Sequence, residues 1–315
     1  MGYHLRYQSK SWATHHVVSR CVRGYSFLKP TPDVVSTTTG VLGRALHVYS
    51  HCIQLHHYAF LSNHFHILLS SESTSALSEF MKYLKSNLTR ELARIHQWTG
   101  PMWQSRYSSE EILDEEGLTE IFNYITENSV KEGLVNHPSA WRGLHGYHQL
   151  VSQQSVIGPW LDRTGMYQAR QNPLTRAQAT PANFTTVYAI TVTPPPLWTD
   201  MSSATFQEHC ARLAQRAVKN ARTKRQGKSM GMTRVLAENV YKSRFVKRGQ
   251  RPLCRTKCID RLKAYQALYF EFKVRFQEVY RGLRDGTLSG IPRLDLLFPS
   301  GGVLPLGLGS HLKLE

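Results

Sequence analysis

The 315-residue chain is long enough for one large domain or two ordinary ones, and an apolar content of 41% permits a substantial core. No run of ~18 apolar residues argues for a membrane span, the opening MGYHLRYQSKSWATHH has no apolar signal core, and five sparse cysteines do not form a disulfide framework, so a cytoplasmic protein is expected. Residues 1–150 carry 13 Lys/Arg against 12 Asp/Glu, while residues 151–315 carry 26 against 10, so the net charge of +17 sits in the second half and points to a polyanion, nucleic acid first.

In chain order, THHVVSRCV (14–22) predicts a strand, being rich in β-branched residues. Residues 31–52 predict a helix in their second half. IQLHHYAFLS and HFHILLSS predict two strands joined by a tight turn near Ser62 and Asn63. Leu77, Phe80, Met81, Leu84, Leu88, Leu92 and Ile95 recur at three- and four-residue spacing, which predicts a helix over 76–97 with Ser75 as its cap. Residues 102–114 predict extended chain, and 117–135 a helix ending near Gly133. The order strand, helix, strand, strand, helix, strand, helix predicts an α+β fold: a ferredoxin-like antiparallel sheet with helices on one face. Residues 151–200 lack strong periodicity and read as linker and rim around TVTPPPLWTD. A basic, mostly helical module follows from 201 to 315, with helices expected over 203–226 and 259–286. Between 212 and 263 there are 17 Lys/Arg against two acids, Glu238 and Asp260. Arg216, Lys219, Arg222, Lys224, Arg225, Lys242, Arg244, Lys247 and Arg248 are the expected phosphate contacts of this stretch, with Tyr241 and Phe245 placed to stack on bases.

The first half carries the chemistry. His64 and His66 alternate onto one face of a strand, while Phe65, Ile67 and Leu69 face the other way. Tyr124 and Asn128 lie one helical turn apart on the flank of the stripe formed by Leu118, Ile121, Phe122 and Ile125. Two imidazoles and an amide oxygen can hold a divalent cation with positions left for substrate oxygens. A phenol ionises near pH ~10 in water, so a cation or base must assist it as a nucleophile. An H-x-H pair by itself is more often structural than metal-binding. Tyr107 is a rival nucleophile. Trp103 and Arg106 are expected to serve architecture or DNA contact, and His15, His16, His56 and His57 to supply a base, DNA contacts or packing, with one of each pair turned inward. Cys254 and Cys258, with His209 and Cys210 upstream, are a weak match to a zinc site.

Four ordered segments resemble one family. HHVVSRCVRG is similar to its opening strand, FLSNHFHILL to its M-P-N-H-V-H-L-L segment, MWQSRY to L-W-Q-x-R-[YF], and YITENSVKEGLVNHPSAW to Y-I-x-x-N-P-V-[RK]-A-G-L-V-x-x-P-x-x-W. The chain resembles the REP-associated tyrosine transposases, relatives of the IS200-like, single-tyrosine HUH transposases, along most of residues 14–150. Ser62 and Ser129 stand where the family has proline, and neither change removes a reactive group.

The resemblance implies His64, His66 and Asn128 as metal ligands, Tyr124 as nucleophile, Mg²⁺ or Mn²⁺ as cofactor, and single-stranded DNA with imperfect hairpins as partner. It implies an HUH nuclease domain over 1–150, cleavage and rejoining through a 5′-phosphotyrosine, a nucleoid-associated bacterial setting and scope for a homodimer. The alternative is a catalytically inactive, domesticated protein that binds DNA or RNA hairpins.

Overall fold

The computed structural model describes residues 5–151, 154–225, 227–243 and 252–287. Strand β1 (Ala13–Arg20) leads into helix α1 (Pro32–Val48). Strands β2 (Ile53–Leu61) and β3 (His64–Ser71) form a hairpin, followed by α2 (Thr74–His96), β4 (Ser108–Ile112) and α3 (Glu115–Lys131). Beyond them lie α4 (Tyr147–Leu150), β5 (Ile157–Leu161), α5 (Arg163–Gln171), β6 (Thr185–Ala189), α6 (Ser203–Lys224), α7 (Met232–Ala237), β7 (Cys254–Arg255) and α8 (Ile259–Arg284).

The main sheet runs β2-β3-β1-β4-β7. Its first four strands have the ferredoxin-like order and pair antiparallel, as the sequence predicts. The two-residue strand β7 adds to β4 in parallel and makes the sheet mixed. Phe65, Ile67 and Leu69 of β3 join Val17, Leu42, Phe80, Leu84 and Leu88 in the main core, so α1 and α2 cover that face. Leu68 and Ala59 join Leu118, Ile121, Phe122 and Ile125, so α3 covers the opposite face, the one that carries His64 and His66. The one-face expectation therefore describes the two crossover helices; the third helix seals the other side.

Caps explain the boundaries that differ from the sequence reading. Ser73, not Ser75, accepts the Ala76 N–H and starts α2. Thr31 accepts from Val34, with Pro32 at the first turn, so α1 starts at the head of its stretch and runs from Pro32 to Val48 rather than over the second half alone. Asp114 accepts from Gly117 and starts α3. Of the extended stretch 102–114, Ser108–Ile112 alone is a named strand; Trp103 makes one bridge to Cys21. Ser129 lies inside α3, which continues to Lys131.

Residues 151–200 hold more structure than their weak periodicity signalled. β5 and β6 pair as a separate two-stranded ribbon that packs on α1. A Cβ on Gly40 would lie 1.8 Å from the Pro159 carbonyl oxygen, and one on Gly158 would lie 2.4 Å from the Gly40 nitrogen. The ribbon thus sits backbone against backbone on α1, an approach open to glycine only. Trp198, at the end of the proline-rich stretch, is buried with Phe122 and Phe206. α6 packs on α3, and the aromatic residues of α8 divide: Phe272 and Phe276 are buried with Tyr7 nearby, while Phe270 is 67% exposed.

Candidate active site

Pairing register brings the site together. Val18 of β1 faces His66, Arg20 faces His64, and on the other side of β1 His16 faces Glu110 of β4. His16, His64, His66 and Glu110 therefore share the α3-covered face. The His64 and His66 rings stand edge to face with centroids 5.0 Å apart. His16 stacks on His66 at 5.1 Å, with its Nε2 2.9 Å from His66 Nδ1.

α3 delivers Tyr124 onto this group. Its ring centroid lies 5.2 Å from that of His66 and 6.0 Å from that of His16, within one chain. The Lys131 ammonium stands 4.7 Å from the centre of the same ring. Asn128, one turn along, is fully buried, and neither its amide oxygen nor its amide nitrogen has a hydrogen-bond partner among the described residues. An orphaned buried carboxamide is costly and rare, and a cation ligand is a role that would explain it.

The Nδ1 edges of both imidazoles are held. His64 Nδ1 lies 2.6 Å from the Asn63 side-chain oxygen, and the Asn63 amide N–H donates to the Gly24 carbonyl at 3.3 Å, which fixes the orientation of that amide. His64 therefore donates from Nδ1, placing its lone pair at Nε2. By donor chemistry, two imidazoles and one carboxamide would suit a divalent cation. Among the described residues no three His, Cys, Asp or Glu side chains are grouped to hold a metal, so such a cation depends on the amide. The five cysteines are free; Cys254 is buried in β7 and Cys258 is exposed, and neither belongs to a metal-holding group.

Tyr124 opens into a cleft of about 1640 Å³ that is also lined by Arg20, Arg106, Lys131, Lys224 and Arg255. Tyr107 borders the cleft but is buried, with the Arg6 guanidinium 3.5 Å over its ring and its hydroxyl 3.3 Å from Ser78. Burial also pushes its phenol up from the ordinary range, which makes it a poor rival to Tyr124. Trp103 is architectural: its indole N–H donates to the Thr89 hydroxyl at 2.9 Å.

His15, His16, His56 and His57 are all buried, against the expectation of one inward ring per pair. A bulge between Leu55 and His57 breaks the alternation in β2. His56 then reaches Ser70 at 2.8 Å and His57 reaches Thr126 at 2.9 Å. Asn63, Glu110, Lys131 and Arg255 were not singled out from the sequence. Glu110 had one legible signal, an acid inside a predicted extended segment, between Ser109 and Glu111.

The predicted phosphate contacts separate. Arg216 and Lys219 are exposed on α6, and Lys224 lines the cleft. Arg222 donates to the Asn136 carbonyl at 2.7 Å, and Arg225 to the Val135 carbonyl and the Asn136 side chain, so these two brace α6 against the chain after α3. Lys242 pairs with Glu238 at 3.4 Å. Arg244, Lys247 and Arg248 lie outside the described residues.

No curated protein matches the chain. Among solved structures, a REP-associated tyrosine transposase bound to a REP hairpin is similar, at 20% identity and a TM-score of 0.39, over 49% of this chain and 87% of that one. A putative transposase from Deinococcus radiodurans is similar at 19% identity and a TM-score of 0.28, over 41% of this chain and 97% of that one. The profile of the family described as "Transposase IS200 like" matches residues 41–128, which run from α1 through His64, His66 and Tyr124 to Asn128. This site-bearing segment is thus similar to the IS200-like transposases.

Proposed function

We propose that the protein cleaves and rejoins single-stranded DNA at hairpin-associated sites, with Tyr124 as nucleophile and His64, His66 and Asn128 as ligands of Mg²⁺ or Mn²⁺. The observation that carries this reading is the seating of the Tyr124 ring against His66, with a buried, unsatisfied Asn128 one turn away. The motifs quoted above supply the hairpin substrate class. Imidazole ligands suit Mn²⁺ better than Mg²⁺, which prefers oxygen.

When bound, the cation supplies Lewis-acid polarisation of the scissile phosphate. The protein supplies the rest. Lys131 and the cleft arginines meet phosphate oxygens beside the phenol. The Tyr124 oxygen forms a bond to phosphorus as the P–O3′ bond breaks; the phenolic proton passes to water, and the 3′ oxygen leaves as a hydroxyl after taking a proton from water. The 5′-phosphotyrosine conserves the phosphodiester, so another 3′-hydroxyl can reverse the step and join strands. Residues 1–150 form the nuclease domain in this reading, and residues 201–315 the basic extension that grips DNA. A bacterial cytoplasm, next to the nucleoid, is the matching location; among the described residues no helix is long and apolar enough to cross a membrane.

A labelled hairpin strand with a single-stranded flank, incubated with Mn²⁺, should give a denaturation-resistant protein–DNA adduct that is lost in Tyr124→Phe. Tight hairpin binding with no adduct from the unmodified protein would instead establish the inactive hairpin binder.

A further inference from the structure

Three buried side chains form a line across β4, β1 and β3 on the face covered by α3. Glu110 is 1% exposed, His16 2% and His66 0%. Glu110 Oε2 faces His16 Nδ1 at 3.5 Å, and His16 Nε2 lies 2.9 Å from His66 Nδ1. The stacked His16 and His66 rings are inclined by only 17°. The line ends on a residue from the second half of the chain: Arg255 Nη2 lies 2.9 Å from Glu110 Oε1, carried there by the parallel pairing of β7 with β4.

With His16 neutral and its Nδ1 3.5 Å from the carboxylate, the chemistry of the groups gives the line a direction. A carboxylate only accepts, so it favours the hydrogen of His16 on Nδ1. His16 Nε2 then presents a lone pair. His66 Nδ1 must donate to it, which places the His66 lone pair at Nε2. His64 reaches the same polarity through Asn63.

We propose that Glu110 and His16 are positioning residues for His66. They set its tautomer and ring plane so that Nε2 is the ligand atom. Arg255 holds the Glu110 carboxylate in register, so the basic half of the chain completes a metal site that it does not itself ligate. This inference rests on the reading of His64, His66 and Asn128 as ligands. Partners behind a ligating imidazole typically change metal affinity by ~10–100-fold, which sets the expected size of the effect.

The test uses the full chain and Mn²⁺ alone, with no DNA. The loss of the free Mn²⁺ paramagnetic resonance signal gives the affinity. His66→Ala should abolish binding. His16→Ala and Glu110→Ala should weaken it ~10–100-fold. His16→Gln, whose amide can still face His66, and Glu110→Gln, which keeps an acceptor, should recover part of the loss. Arg255→Gln should shift affinity in the same direction as Glu110→Ala. Adduct yield in His16→Ala should return toward the wild-type level as Mn²⁺ is raised, a rescue that a general loss of folding would not show. Circular dichroism and thermal melting accompany each variant, and where an alanine variant unfolds the glutamine variant decides. Wild-type Mn²⁺ affinity in folded His16 and Glu110 variants overturns the positioning role. Wild-type affinity in Arg255→Gln overturns the part given to the second half. No Mn²⁺ binding by the unmodified protein, or unchanged binding in His66→Ala, overturns the ligand reading itself and the inference with it.

Discussion

His57 Nε2 lies 2.9 Å from the Thr126 hydroxyl, a hydrogen bond that ties β2 to α3 midway between Tyr124 and Asn128. The same hydroxyl donates to the Phe122 carbonyl at 2.9 Å, so it accepts from the imidazole. Thr126→Val keeps the shape and leaves a buried imidazole N–H without its acceptor. The expected loss is ~1–3 kcal/mol in urea unfolding, with reduced adduct yield. Thr126→Ser should restore most of both. Equal stability of the Val variant and the natural protein would show that packing alone docks α3.

Asn128 predicts a conflict between stability and activity. Its amide is buried without partners among the described residues, so Asn128→Leu removes a desolvation cost at similar volume. The metal-free variant should melt at or above the wild-type temperature while Mn²⁺-dependent adduct is lost. A clear fall in melting temperature would mean that the amide has a structural partner.

Buried histidines set the acid limit of the fold. Burial, with a smaller contribution from Arg6, holds His15 down to about 3; burial likewise holds His145 to about 3 and His56 to about 4, and it lowers His57 well below the usual range. In the unfolded chain each imidazole takes up a proton near pH ~6.5. Below that pH the unfolded state binds more protons, so stability present above ~6.5 is lost as pH falls toward 4. Each ring contributes ~1.4 kcal/mol per pH unit within that window. Burial raises the Glu111 carboxyl, and its protonation offsets part of the loss at the acid end. Urea midpoints measured from pH 7.5 to 4.5 should decline steeply below 6.5; a flat profile would contradict the buried, neutral state of these rings.

On the opposite face of the sheet, Gly40→Ala should move the β5–β6 ribbon. The added methyl would meet the Pro159 backbone, which cannot swing aside as a side chain could. A cost of ~1–3 kcal/mol is expected, with faster amide exchange in 157–161 and 185–189. Adduct chemistry should survive, because α1 and α3 lie on different faces. Loss of adduct in a folded variant would show that the ribbon acts on the site through the sheet.

The basic helix α6 makes a salt-dependent prediction. Arg216 and Lys219 are exposed and Lys224 lines the cleft, whereas Arg222 and Arg225 bond to residues 135–136. Removing the first three charges should flatten the slope of log K against log salt by ~2 for single-stranded DNA. Arg222→Ala and Arg225→Ala should lower the melting temperature instead. An unchanged slope in the triple variant would move the DNA grip off α6.

The sequence by itself determined the βαββαβ order, because strand alternation and helical spacing depend on near neighbours. It also picked out His64 and His66 on one face, and Tyr124 and Asn128 one turn apart, since period 2 and period 3.6 fix those relations locally. Helix starts at Ser73 and Asp114 were less legible, because several polar residues compete for each cap and packing chooses among them. The tertiary structure alone decided the partners that are distant in the chain: Glu110 opposite His16, Arg255 beside Glu110, and Tyr124 over His66. Those contacts follow from strand register and from which face α3 covers, and register is set by the burial of whole strands rather than by any short run of residues. The bulge at Leu55–His57 shows the same cause, for one extra residue inserted against β3 sends two consecutive histidines to the α3-covered face where alternation would have sent one.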